Sequence, residues 1–144
     1  MNIAILFKDK GTLTLCGLDD FDDTVETIDN PAVVTLCRYH PKNWRGETYH
    51  HFLSFQRNTP HEDWIAAAEK VMLLLGQKRN VLLHCIHGRD RTGTIAYIVL
   101  RLYDFDHVNA CSVLRNARPS MGRVWKSLLE ERLRFHEMII EKMD

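Results

Sequence analysis

The sequence contains no Cys-x-x-Cys pair. Its four cysteines, Cys16, Cys37, Cys85 and Cys111, stand far apart, which argues against a zinc ribbon and a thioredoxin-type dithiol. Net charge is missing too. The 19 Lys and Arg balance 19 Asp and Glu, so no whole-chain basic field draws the protein to nucleic acid or to an anionic membrane. No apolar run is long enough to span a bilayer, and the opening MNIAILFKDKG lacks the basic start and small-residue cleavage site of a secretory signal. Repeats, low-complexity tracts and linker-like stretches are also absent. What remains is 45% apolar and 26% charged residues over 144 positions, the make-up of one globular domain spanning residues 1–144. The expectation is a monomer without a membrane span, in the cytoplasm, where thiols stay reduced.

Local pattern divides the chain into strands followed by helices. Residues 3–7 and 12–16 are apolar and β-prone around a Lys-Asp-Lys-Gly turn. The acidic stretch 18–31 reads as loop with a short helix, 32–37 (AVVTLC) as a buried strand, and 50–55 as another strand. Thr59, Pro60 and Glu62 suggest a helix start with Thr59 as cap and Glu62 closing a capping box. Behind them Trp64, Ala67, Ala68, Val71, Met72 and Leu75 keep helical period as far as Gly76. Residues 81–84 read as a central strand, and 92–103, apolar nearly all round, as a buried helix. Asp106 caps a further helix that ends at Arg118-Pro-Ser-Met-Gly122. A final amphipathic helix uses Trp125, Leu128, Leu129, Leu133, Phe135 and Ile139. This order predicts an α/β fold: a central, mostly parallel twisted sheet flanked by helices, with the site at the C-terminal end of the central strand.

That end carries VLLHCIHGRDRTGT, residues 81–94. A cysteine follows the strand, and six residues later Arg91 opens a helix. If the loop between them curls, its N–H groups and the helix N-terminus make an anion cradle, and the Arg91 guanidinium matches two phosphate oxygens. Such a positive centre favours the thiolate of Cys85, poised for in-line attack on phosphorus. Thr92 is placed to hydrogen-bond the sulfur. A buried core cysteine is the plain alternative, but it does not account for Gly, Arg and Thr at these spacings.

The stretch His84-Cys85-x-x-Gly88-x-x-Arg91-Thr92-Gly93 resembles the active-site motif of the protein tyrosine phosphatase superfamily, and the small size is similar to its dual-specificity branch. The resemblance extends more loosely from about residue 32 to the C-terminus. It implies a dual-specificity phosphatase-like fold and a phosphocysteine intermediate on Cys85, with no metal and no cofactor. It also implies phosphate binding by Cys85, Ile86, His87, Gly88, Arg89, Asp90 and Arg91, with His84 orienting the loop. The expected partner is a phosphorylated substrate: a phosphoprotein, a phosphorylated RNA end or an inositol phosphate.

The departure is the general acid. Members of the superfamily usually carry an Asp about thirty residues before the cysteine, and here the matching position is Gln56, which cannot donate a proton as an acid. Glu62 and Asp63 lie close by, in a first helical turn where carboxylates serve the helix dipole. Asp90, inside the loop, resembles the loop Asp of myotubularin-type lipid phosphatases. Capping-enzyme RNA 5′-triphosphatases resemble the chain through His84, Cys85, His87, Gly88, Arg91, Thr92 and Gly93, and they also lack the usual Asp. A phospho-binding pseudophosphatase is the non-enzyme alternative. The segment Arg38, Tyr39, His40, Lys42, Trp44 and Arg45 is a basic loop with aromatics interleaved, suited either to stacking a base or ring beside extra phosphates or to a solvated connection with one anchoring tryptophan.

Overall fold

The short, mostly apolar runs 13–16, 32–34 and 81–83 are buried on both faces, as a parallel sheet requires. The computed structural model describes the backbone of all 144 residues and the side chains of all but residues 122–126 and 129. Its elements are β1 (Ile5–Leu6), β2 (Thr12–Cys16), α1 (Phe21–Val25), β3 (Pro31–Thr35), β4 (Thr48–His50), α2 (His61–Gly76), β5 (Asn80–His84), α3 (Asp90–Leu102), α4 (His107–Ala117), a 3-10 turn (Pro119–Met121) and α5 (Gly122–Met143). The sheet order is β1-β2-β5-β3-β4, with only β1 antiparallel. The fold is therefore α/β with a mostly parallel sheet, as the element order predicted.

β5 is central, and Cys16, His84 and Thr35 stand in one row across β2, β5 and β3. Strand alternation sends Leu13, Leu15, Ala32, Val34, Val81 and Leu83 into the main core with the helices. It sends Cys16, Val33 and Leu82 the other way, against Phe21 of α1. α3 is enclosed: Ile95 to Leu100 are all fully buried, each large apolar side chain contributing roughly 1.5–3 kcal/mol. Among the described residues no helix is long and apolar enough to cross a membrane.

Two local expectations are corrected. The strand predicted over 50–55 is β4, Thr48–His50; beyond it the chain still follows β3, through His51 N–H to Thr35 O (2.9 Å) and Leu53 N–H to Leu36 O (3.1 Å). Thr59 does not cap α2. Its hydroxyl accepts from Ser54 N–H at 2.8 Å, closing the 54–59 loop, and Pro60 is the residue before the helix, with no side-chain cap and no capping box with Glu62. Asp106 does cap α4, its Oδ1 accepting from Asn109 N–H at 2.8 Å. Of the predicted face of α5, Trp125 and Leu129 lie outside the described side chains, while Ile139 is fully buried.

Two fully buried imidazoles tie the fold to pH. Burial holds His84 down to about 4, and burial, reinforced by Arg132 and His107, holds His136 down to about 3, both from 6.5. The unfolded chain therefore takes up these protons first as pH falls below about 6.5. Stability should be full above that pH and decline through the window from 6.5 toward 4, by up to about 1.4 kcal/mol per pKa unit for each group. Urea midpoints at pH 7.5 and pH 5 measure this, and His136→Gln should flatten the slope. Equal midpoints in the wild type would show that the imidazoles are not held neutral.

Candidate active site

β5 runs directly into the loop 85–89, and α3 begins at Asp90. The loop's curvature is fixed from outside. Ile86 O accepts from Leu18 N–H at 2.8 Å, and His87 O accepts from Arg118 Nη2 at 2.9 Å. In a planar trans peptide the N–H points opposite the C=O, so both peptides turn their N–H groups to the inner side. The Gly88 N–H accordingly donates to Cys85 Sγ at 3.3 Å. Gly88 adopts φ +69°, and a Cβ there would run into the backbone of Cys16. Gly17 packs as closely from the other side, since a Cβ on it would lie 2.8 Å from Ile86 O.

Arg118 anchors this wall. It is 3% exposed, and besides His87 O it pairs with Asp20 Oδ2 (2.6 Å) and donates to Asn2 Oδ1 (3.1 Å). Asp20 also accepts from Gly17 N–H at 2.8 Å and from Asn2 Nδ2 at 2.8 Å. Burial would raise its carboxyl, but the hydrogen bonds from Arg118, Asn2 and Gly17 outweigh that and hold it below the usual range. Sequence reasoning missed Asn2, Asp20 and Arg118. For Arg118 the available signals were the helix break at 118–122 and the Ala-Arg-Pro-Ser stretch, which falls within the looser family resemblance; neither gave it a role.

His84 is fully buried. Its Nε2 shares a 2.8 Å hydrogen bond with Thr35 Oγ1, its Nδ1 lies 3.4 Å from Cys85 O, and its ring packs on Phe21. It thus braces the residue before the loop as a neutral ring. Cys85 is 2% exposed. Its neighbours Cys16 and Cys37 are both pushed up, chiefly by burial, and so remain thiols. Arg91, half-buried, donates from Nη1 to Leu53 O at 3.2 Å. No other hydrogen bond or ion pair holds the guanidinium among the described residues, which leaves its Nε–Nη2 edge for an anion. Arg89 stands at the start of α3, its carbonyl accepting from Gly93 N–H at 2.8 Å, and its buried Nε has no partner among the described residues.

Other predicted residues are placed differently. Thr92 is fully buried, but its hydroxyl has no hydrogen-bond partner among the described residues. The expected bond to Cys85 Sγ is not made, and the sulfur takes the Gly88 N–H instead. Asp90 meets Arg132 through both oxygens, at 3.3 and 3.1 Å, a fork that occupies the carboxylate. Asp63 is exposed on the first turn of α2, where its charge is felt by His51. Gln56 is exposed on the turn that follows Leu53, and that turn is held by Phe55, whose ring stacks on Trp64 (4.5 Å) beneath the Arg132 guanidinium (3.8 Å). Trp44 is an anchor: its ring packs on Phe21 and its Nε1–H donates to Thr48 Oγ1 at 3.0 Å.

Comparison with known proteins bears on the fold and the family. No curated protein matches the sequence. Among solved structures, a mutant form of Tk-PTP superposes with a TM-score of 0.65 at 16% identity, covering 98% of this chain and 96% of its own. Human DUSP28 gives 0.64 at 11% identity, over 99% of this chain and 100% of its own. P. aeruginosa TpbA gives 0.57 at 14% identity, over 99% and 91%. These likenesses concern the fold. A sequence model described as the tyrosine phosphatase family matches residues 35–111, from the end of β3 through the Cys85 loop and into α4, which is more than half of the chain. The chain belongs to the tyrosine phosphatase family.

Proposed function

We propose that residues 1–144 act as one catalytic domain that hydrolyses phosphate esters through a phosphocysteine on Cys85, as a dual-specificity-type protein phosphatase. The observation that carries this reading is the Gly88 N–H on Cys85 Sγ, at the base of a loop whose carbonyls are tied outward. In the first step the Cys85 thiolate bonds to phosphorus as the P–O bond to the leaving group breaks, and the leaving oxygen takes a proton. In the second, water attacks phosphorus, the S–P bond breaks, and inorganic phosphate leaves with the thiolate restored. The loop N–H groups, the start of α3 and Arg91 stabilise the equatorial oxygens in both steps.

No carboxylate stands at position 56, and Asp90 is engaged by Arg132. The leaving oxygen therefore draws its proton from water, which favours substrates whose leaving group is weakly basic. That favours a second reading as well: cleavage of phosphoanhydride ends, as on triphosphate-ended RNA. A panel of phosphotyrosine peptide, phosphothreonine peptide, an inositol polyphosphate and triphosphate-ended RNA separates the two. Aryl esters and anhydrides should outpace alkyl esters. Gln56→Asp should speed alkyl esters by roughly 10²-fold or more, and Gln56→Ala should change little. Fast turnover of phosphothreonine peptide, abolished by Asp63→Asn, would move the acid to Asp63 and sink the Gln56 assignment.

A further inference from the structure

Beside the cradle, two chain segments run on past the sheet: 36–38 after β3 and 51–53 after β4. They are joined by Leu53 N–H to Leu36 O at 3.1 Å, and Leu36 N–H reaches His84 O at 2.9 Å, one residue before the nucleophile. Leu36 and Leu53 are fully buried and Cys37 is 3% exposed; the chain reaches the surface at Arg38 on one segment and at Phe52 on the other. Arg38 is exposed, and its guanidinium lies over the Phe52 ring at 4.8 Å. Phe52 itself is 39% exposed and Tyr39 63%. Both segments adjoin the loop: Leu53 O holds Arg91, and Leu36 N–H holds the residue before Cys85.

Arg38 has no ion-pair partner among the described residues. Arg45 of the same loop, by contrast, donates to its own loop carbonyls at Lys42 and Trp44. The Phe52 face fixes the plane of the Arg38 guanidinium and leaves its N–H edges to solvent. We infer that Arg38 on Phe52 is a second anion subsite, so that the favoured substrate is a phosphomonoester carrying a further phosphate or carboxylate close to the scissile group. The inference rests on the phosphatase reading and deepens it, and it concerns selectivity rather than the bond-breaking steps.

The test pairs turnover with binding. On p-nitrophenyl phosphate, which has no second anion, Arg38→Gln should keep the wild-type kcat/KM. On an inositol bisphosphate and on a phosphotyrosine peptide with an adjacent glutamate, it should raise KM about tenfold or more for whichever supplies the second anion, and Arg38→Lys should recover only part. Sensitivity of the bisphosphate assigns the subsite to a phosphate, and sensitivity of the acidic peptide to a protein carboxylate; either supports it. An equal loss on p-nitrophenyl phosphate, or no loss on any substrate, overturns it. Binding separates this from failure of the chemistry: Cys85→Ser should bind butanediol bisphosphate or pyrophosphate about tenfold more tightly than inorganic phosphate, and Arg38→Gln added to it should erase the difference. If the wild type turns over nothing but this difference stands, the subsite survives and the hydrolytic reading fails.

Discussion

Replacing Cys85 with Ser is expected to lower kcat on an aryl phosphate by about a thousandfold or more, with phosphate still bound. A serine hydroxyl is a far weaker nucleophile than a thiolate, and among the described residues no base is hydrogen-bonded to the side chain at position 85: its sulfur takes the Gly88 N–H, and His84 is turned to Thr35. Arg91→Ala should lose about 10²-fold or more and also weaken phosphate binding, because it removes the fork that grips two oxygens. Arg91→Lys should recover little, since a point charge lacks that fork. Iodoacetamide should label Cys85 before Cys16 and Cys37, which burial keeps as thiols, and vanadate or phosphate should protect it. Full activity in Cys85→Ser would refute the nucleophile. Tight phosphopeptide binding by the wild type, with no burst of leaving group on rapid mixing, would make the chain a phospho-binding module.

The centre of this site was legible because its residues are contiguous. A strand, Cys85, Gly88, Arg91 and the start of a helix lie within the segment 81–94, and local backbone geometry brings them together without help from distant sequence. The supporting wall was not legible. Arg118 reaches His87 O across 31 positions, and Asn2 reaches Arg118 across 116. Such pairings are set by where α4 ends against the first strands, and no periodicity reports it. The capping of α2 failed for a related reason. Thr59, next to Pro60, has the composition of a helix cap, but Ser54 N–H competes for the same hydroxyl and wins. Asp90 looked free in sequence because Arg132, its partner, sits 42 residues away on another helix. The Gln56 turn was located by its neighbours: the apolar residues before it and the Thr-Pro after it flank the segment that follows Leu53, whose carbonyl meets Arg91.

Gly88→Ala should be as damaging to activity as loss of Arg91, though it removes no reacting group. A side chain at φ +69° costs about 1–2 kcal/mol. The larger effect is contact. The new Cβ would meet the Cys16 carbonyl and Gly17 N, which are backbone atoms at the end of a strand in the middle of the sheet and have no rotamer by which to yield. The loop must move instead. Because His87 O is held by Arg118 and Ile86 O by Leu18 N–H, the motion falls on the peptide that aims the Gly88 N–H at Sγ. We expect about 2–4 kcal/mol of lost stability, a fall in kcat/KM of about 10²-fold or more, and weaker inhibition by vanadate. Gly76→Ala is the matched control. A Cβ at Gly76 meets nothing within 4 Å, and the residue lies in the last turn of α2, so that change should leave activity untouched and stability equal or up to about 1 kcal/mol higher. If Gly88→Ala keeps the wild-type urea midpoint and vanadate affinity, the loop does not need the close approach of the 85–89 segment to Cys16, and the account of how the cradle is held fails at its tightest point.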